Sequence, residues 1–350
     1  MPSSQNSPAA LGYRPVAEWE RNAACFSAWP AHEYAWGDFL ARAQREATAF
    51  CHALLADEGA ERLELLVPDE AAENDARTAL RELGPRVRYR RIAYGDVWLR
   101  DTAPIFVRGE HGLAGVCFEF NGWGDKYDYP GDKDLAARLS NALGLPLLNA
   151  SAVLEGGALE LDGAGTCLTT ESCLLNPNRG LKLSRAQLES VLHDALAVDK
   201  VLWLEGGLAG DHTDGHIDNI ARFVAEGVVM HMRPSGHDDP NREVFEAIEA
   251  ALGGFVDAAG RALRLLPVPS PGLLLDRAGA PMAASYMNFC VGNRAVVVPA
   301  FGKAEDETAR AAIAAAFPGR RVVSCSAAAI LEGGGGTFHC MTRQQPELLP

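Results

Sequence analysis

Four short segments of the chain hold side chains whose types and spacing could do chemistry. In Gly95–Pro104, Asp96, Trp98, Arg100 and Asp101 follow one apolar run and precede another. Carboxylates beside an indole suit a flat cation, since the acids give charge-assisted hydrogen bonds and the ring face attracts positive charge. A turn with a local Asp–Arg pair is the plainer reading. Glu155 stands before Gly156-Gly157 and alone would spell only a turn. Asp211–Asn219 gathers His212, Asp214, His216 and Asp218 in one loop before an apolar strand. Gly215 and Ile217 disfavour a helix that would present His212 and His216 as a metal pair. In an extended strand, His216 and Asp218 share a side, as do His212 and Asp214, which suits general acid–base work as well as metal ligation. Last, Gly333–Gly336 lead through Thr337-Phe338-His339 to Cys340. Four glycines cost chain entropy and make sense where backbone passes close to a ligand. A Cys beyond such a loop is a buried core thiol, or a nucleophile if a neighbouring cation stabilises its thiolate. Adjacent strand residues diverge, so His339 points away and the thiol's partner is expected to be a distant His such as His216. The glycines are followed by no Lys-Ser/Thr, and no GxGxxG opens a helix, which argues against a nucleotide site.

The elements that must position these residues read as short strands alternating with amphipathic helices. Strands are expected at 62–67, 87–92, 201–204, 220–224, 228–232 and 321–324, with hairpins 158–161/166–170 around Asp162-Gly163 and 287–291/294–298 around Gly292-Asn293. Helices are expected at 71–83, 134–143, 181–196, 243–252 and 306–317, the third opening at Ser184 with Gln187 three residues on. Hairpins among the crossovers exclude a plain doubly wound sheet. Leu-Glu-Gly-Gly recurs at 154–157, 204–207 and 331–334, read as strand ends, at unequal intervals that permit a repeat. No linker divides the chain. One catalytic domain over 1–350 is expected, with about 1–12 a flexible N-terminal extension.

The 350 residues are 48% hydrophobic and 22% charged, enough for a full core, and carry a net charge of −14. That balance argues against nucleic acid and suits a small cationic substrate. No apolar run approaches a membrane span, and the Ser/Pro/Ala-rich N-terminus does not resemble a secretory signal. The eight cysteines form no CxxC pair and read as reduced thiols in the cytoplasm.

Taken together the segments resemble the agmatine deiminase family, which is similar to the bacterial peptidyl-arginine deiminases. The resemblance runs through Ala17-Glu18-Trp19-Glu20, Ala28-Trp29-Pro30, Asp96–Asp101, Phe120–Gly124 and Leu154–Gly157. It continues in Leu168–Glu171, Leu174–Arg179, Thr213–Asn219, Ala284–Phe289, Pro299–Gly302 and His339–Pro346. It implies an α/β fold, the five-bladed pseudo-symmetric propeller of ββαβ modules found in guanidine-modifying enzymes. By motif, Cys340 matches the nucleophile and His216 the general acid/base. Asp101 and Asp218 match the carboxylates that hold the guanidinium, and Glu155 the acid that completes the cage. Trp98 is placed to line the pocket, with Asp214 and His212 nearer the substrate's far end.

The implied reaction is hydrolytic deimination of a guanidine through a Cys-thiouronium intermediate, agmatine giving N-carbamoylputrescine and ammonia on the way to putrescine and polyamines. No metal or organic cofactor is implied, and by analogy a homo-oligomer is compatible. The chain departs from the family pattern at Arg21-Asn22-Ala23, at Thr337 in place of Asn, and at His212 where an acid is usual. The last bears on the substrate's tail. The alternatives are a deiminase of arginine, peptidyl-arginine or another guanidine, an amidinotransferase with the same adduct, a non-catalytic guanidine-binding protein, and a metalloenzyme using His212, His216 and Asp218.

Overall fold

The structure, a computed structural model, describes residues 7–180 and 182–348. Its strands form five separate sheets, none closed on itself. Four share one plan, in which an antiparallel pair is joined across a helix by a third, parallel strand. Ile105–Gly109 and Gly112–Glu119 are joined by Leu147–Val153 beyond helix Leu135–Leu143, with Arg14–Pro15 added at the edge. Glu160–Leu161 and Thr166–Thr170 are joined by Lys200–Leu204 beyond helix Arg185–Leu196. Ala221–Ala225 and Val228–Arg233 are joined by Arg264–Pro269 beyond Arg242–Gly254. Cys290–Val291 and Ala295–Ala300 are joined by Arg321–Ser326 beyond Asp306–Ala316. The fifth sheet is assembled from both chain ends: Arg343–Pro346 runs antiparallel to Asn22–Ala28, which is parallel to Arg62–Val67, itself parallel to Val87–Arg91.

Local sequence explains these elements. The Val-rich run Ala295–Pro299 is buried throughout, as a β-branched strand between two neighbours should be. Ser184 and Gln187 form the expected capping box, although residue 181, where that helix was expected to start, lies outside the described residues. Helix Leu135–Leu143 stops at Gly144, whose φ of 67° a side chain would resist.

Several expectations need correction. The helix expected over 71–83 gives way after Ala79 to a 3-10 turn, Arg81–Arg86, holding Gly84 and Pro85. The hairpin expected over 287–298 is shorter, and Met287–Phe289 is buried but outside the strand, with a turn at Tyr286-Met287. The third Leu-Glu-Gly-Gly lies in helix Ala328–Gly334, not at a strand end. Of the expected extension, residues 1–6 lie outside the described residues, while in the turn that follows Ala9 N–H donates to the Asp194 carbonyl (3.0 Å).

Candidate active site

Loops at one end of the sheets bring the four segments together around a cavity of about 90 Å³. Its walls are aromatic, with Trp98, Trp123, Tyr127, Tyr129 and His212, and its floor reaches Asp101, Asn219 and Cys340. His216, Asp218 and Glu155 lie beneath, fully buried.

Gly157 shows how tightly the reacting groups converge. A Cβ built on it would stand 2.6 Å from His216 Nδ1, 2.9 Å from Asp101 Oδ1 and 3.2 Å from Asp218 Oδ2. Its N–H donates to Asp101 Oδ1 (2.9 Å), and the Trp123 indole donates to Oδ2 (2.9 Å), so the Asp101 carboxylate is fixed from both sides. Asp218 arrives on the short turn Ile217–Asn219, with His216 just before it, and the two do not lie on an extended strand. Neither ring nitrogen of His216 has a hydrogen-bond partner; Asp101 and Glu155 stand 3.9 and 3.5 Å away. Asp218 Oδ1 is also buried without a partner.

Cys340 Sγ lies 3.5 Å from Asp218 Oδ2 and accepts a hydrogen bond from Asn288 Nδ2 (3.0 Å). His339 lies on a turn instead of a strand. It meets the same carboxylate oxygen, its Nδ1 lying 2.7 Å from Asp218 Oδ2 and its Nε2 3.0 Å from Glu18. The glycine run passes close to protein groups: a Cβ on Gly334 would strike Trp98, and one on Gly336 would reach Trp98 and Cys340 Sγ (3.2 Å).

The charges are set by burial and neighbours. Burial raises the Cys340 thiol well above its ordinary value, and Asp218 and Asp101 push it further, against the Asn288 donor. Burial opposes protonation of His216, but Asp101, Cys173 and Glu155 outweigh it and hold the imidazole well above its usual range. Burial likewise opposes ionisation of Asp218, yet the His339 contact keeps that carboxyl low, whereas Asp101 is raised by burial. Asp96, buried against the indole N–H groups of Trp98 (2.7 Å) and Trp36 (3.0 Å), is pushed up to about 6, burial outweighing those donors.

Two expected substrate contacts take other places. Glu155 is not a cavity wall. It sits behind His216, paired with the buried Arg179 (2.9 Å). Asp214, turned into the left-handed region at φ 68°, is engaged by Lys126 (2.6 Å), Arg179 (2.7 Å) and Asn178 (2.9 Å). His212 does line the cavity, 2.8 Å from the Tyr127 hydroxyl.

The metal alternative named His212, His216 and Asp218. The grouping that brings ligand atoms within 4.8 Å of one another among the described residues is instead Glu155, Cys173 and His216. Arg179 reaches both Glu155 and Cys173 Sγ (3.6 Å), so a fixed guanidinium already supplies positive charge there. Sequence reasoning missed Asn288, Cys173 and the Asp218-holding role of His339. Asn288 lies in a quoted motif, but nothing in that motif's spacing points to the thiol.

Residues 14–346 match the family described as Porphyromonas-type peptidyl-arginine deiminase. The agmatine deiminase of Stutzerimonas stutzeri (strain A1501) is 36% identical over 372 residues, covering 99% of this chain and 99% of that protein. The agmatine deiminase of Medicago truncatula is 34% identical over 377 residues, covering 98% and 99%. Among solved structures, the agmatine deiminase of Enterococcus faecalis aligns with a TM-score of 0.90 at 28% identity over 98% of each chain. An amidinotransferase of Microseira wollei shares the fold alone, with a TM-score of 0.54 at 13% identity. Matched from Arg14 to Pro346, the chain belongs to the Porphyromonas-type peptidyl-arginine deiminase family, and the two relatives just compared with it are both agmatine deiminases.

Proposed function

We propose that the chain hydrolyses agmatine to N-carbamoylputrescine and ammonia, a C–N bond hydrolase of the guanidine class that supplies putrescine and polyamine synthesis. The observation that carries this reading is the convergence of Asp101, His216 and Asp218 on Gly157, with Cys340 Sγ 3.5 Å from Asp218. In this reading the guanidinium lies over Cys340 with its N–H groups on Asp101 and Asp218, whose free lone pairs suit its fork. In the empty site the thiol is protonated and His216 carries a proton. The arriving cation offsets the two carboxylates, and the thiol releases its proton to solvent. The thiolate attacks the central carbon, and His216 protonates one amino nitrogen, which leaves as ammonia. The resulting thiouronium is attacked by water that gives its proton to His216. The adduct then collapses to the ureido product, breaking the C–S bond, restoring the thiolate and releasing the hydroxyl proton to ammonia or solvent. Glu155, paired with Arg179, stands 3.5 Å behind His216.

The tail is read by the aromatic walls and by the groove beyond His212, which carries Asp211, Asp276 and Glu332. Those acids favour agmatine's ammonium over the carboxylate of arginine. The proposal also takes the five sheets, four of them of the ββαβ plan, as blades of a five-bladed propeller and residues 1–350 as one catalytic domain. It keeps a cytoplasmic site of action and a homo-oligomer by family analogy. Among the described residues no helix is long and apolar enough to cross a membrane.

Mass spectrometry of protein quenched during turnover with agmatine tests the chemistry; an amidine adduct on Cys340 is expected, and an adduct elsewhere would refute the assignment. Ammonia release from a panel of guanidines tests the tail. Agmatine ranking below arginine would end the agmatine reading, and no release from any guanidine would leave a binding protein.

A further inference from the structure

We infer that a second cavity, behind the catalytic layer, is a binding site for a small monovalent anion centred on Arg343. This cavity, of about 50 Å³, is lined by Glu18, Arg100, Gly156, Arg343 and Gln344 with apolar neighbours such as Phe106. Arg343 is only 5% exposed, and its Nε has no hydrogen-bond partner. Among the described residues no carboxylate oxygen comes within 4.0 Å of its guanidinium. Its one hydrogen bond there runs from NH2 to the Arg100 carbonyl. Glu18, the acid in the cavity wall, is already engaged by Arg100 (2.5 Å), Arg222 (2.6 Å) and His339 (3.0 Å).

A buried cation without a counter-charge is strongly unfavourable, so it must shed its proton or acquire an anion. Burial, with the like charge of Arg100, lowers Arg343 to about 9 against the more distant Glu18, Asp101 and Asp218, which still leaves it charged at neutral pH. None of those three acids pairs with its guanidinium, so a paired counter-charge would come from outside, through the cavity that the Arg343 side chain lines. An unused N–H on a planar fork suits a halide or a single carboxylate, and the apolar walls favour a weakly hydrated ion over a multiply charged one. The site backs directly on the chemistry. Arg100, whose carbonyl receives the Arg343 bond, donates its own N–H to the Cys340 carbonyl (3.0 Å) and precedes Asp101.

The test reads binding and is independent of the deiminase reading. Thermal unfolding is followed at fixed ionic strength while sodium gluconate, too large for the slot, is replaced stepwise by sodium chloride or sodium formate. The intact protein should show a saturable rise of about 2 °C. Arg343→Gln should lose it and Arg343→Lys should keep it with weaker affinity. A response to chloride alone assigns a halide, and one to formate alone a carboxylate. A flat response in the intact protein, or a saturable response that survives Arg343→Gln, overturns the site. Should Arg343→Gln fail to fold, crystals of the intact protein grown with bromide or with formate decide. An anomalous peak or planar density within hydrogen-bond reach of Arg343 Nε supports the site, and its absence under both conditions overturns it.

Discussion

Asn288 is the residue whose geometry says most about how the thiol is activated. Its Oδ1 accepts from Thr337 Oγ1 (2.8 Å), His339 N (3.1 Å) and Cys340 N (3.2 Å). Three donors on the oxygen leave the amide no freedom to flip, so Nδ2 must face Cys340 Sγ and Asn219 Oδ1 (3.0 Å). Thr337, where the family pattern has Asn, is therefore tied into the machinery as a donor to Asn288. A donor to sulfur stabilises thiolate, against burial and two carboxylates. Asn288→Ala is expected to raise the thiol pKa and slow iodoacetamide alkylation at neutral pH by roughly ten- to hundredfold, from the worth of a hydrogen bond to a charged group. An unchanged alkylation profile in a variant with native circular dichroism would refute it. Gly157→Ala should cut kcat/KM by about a hundredfold or more, because its methyl would occupy the space beside His216 Nδ1. The pH profile follows from the same charges. Attack needs thiolate, which gains population as pH rises toward the raised Cys340 value. Ammonia departure needs imidazolium, which the raised His216 value preserves past its ordinary 6.5 and which is lost above it. Activity should therefore climb between about pH 6 and 8 and fall on the alkaline side. A maximum below pH 6 would contradict these directions.

At the scale of elements, the sequence exposed what depends on local pattern and hid what depends on pairing. Strand Arg62–Val67 falls on its expected bounds because Leu63, Leu65, Leu66 and Val67 cluster just before Pro68. Helix Arg185–Leu196 opens at the capping box of Ser184 and Gln187 because such a box is a local signal. The helix Leu40–Leu55 drew no expectation, although its buried Ala43, Ala47, Phe50 and Leu54 recur at helical spacing. The pairing of Arg343–Pro346 with Asn22–Ala28 could not be read locally, because its partner lies over 300 positions away. The same holds for the site: residue types at Asp101, His216 and Cys340 were legible, but their meeting on turns around Gly157 was a tertiary fact. Helix Leu40–Leu55 matters because Phe50 stacks on Phe338 at 4.9 Å, two residues before the thiol, and both rings are fully buried. Phe338→Ala should cost about 3–5 kcal/mol in denaturant unfolding, the range for emptying a buried aromatic site. A loss under about 1 kcal/mol would mean that the turn carrying Cys340 is not anchored by this stack.

The whole molecule adds a field to the local chemistry. With 46 acids against 32 bases, its net charge of −14 surrounds an entrance whose outer groove carries Asp211, Asp276 and Glu332. Lys126, a base on that rim, is held by Asp214 (2.6 Å), which removes most of its opposition to an incoming cation. A cationic guanidine should then be drawn in faster than diffusion alone allows, and salt should weaken that pull because exposed charges are screened within about 8 Å at physiological ionic strength. Buried Asp101 and Asp218 are sheltered from the screening, so the chemical step should not follow. For agmatine, kcat/KM is expected to fall severalfold between about 20 and 300 mM sodium gluconate, with kcat nearly constant. Gluconate is the right salt for this measurement because an anion able to enter the Arg343 cavity would confound it. If kcat and kcat/KM fell together, screening would be acting on the bound state, and the acidic surface would have no part in capture.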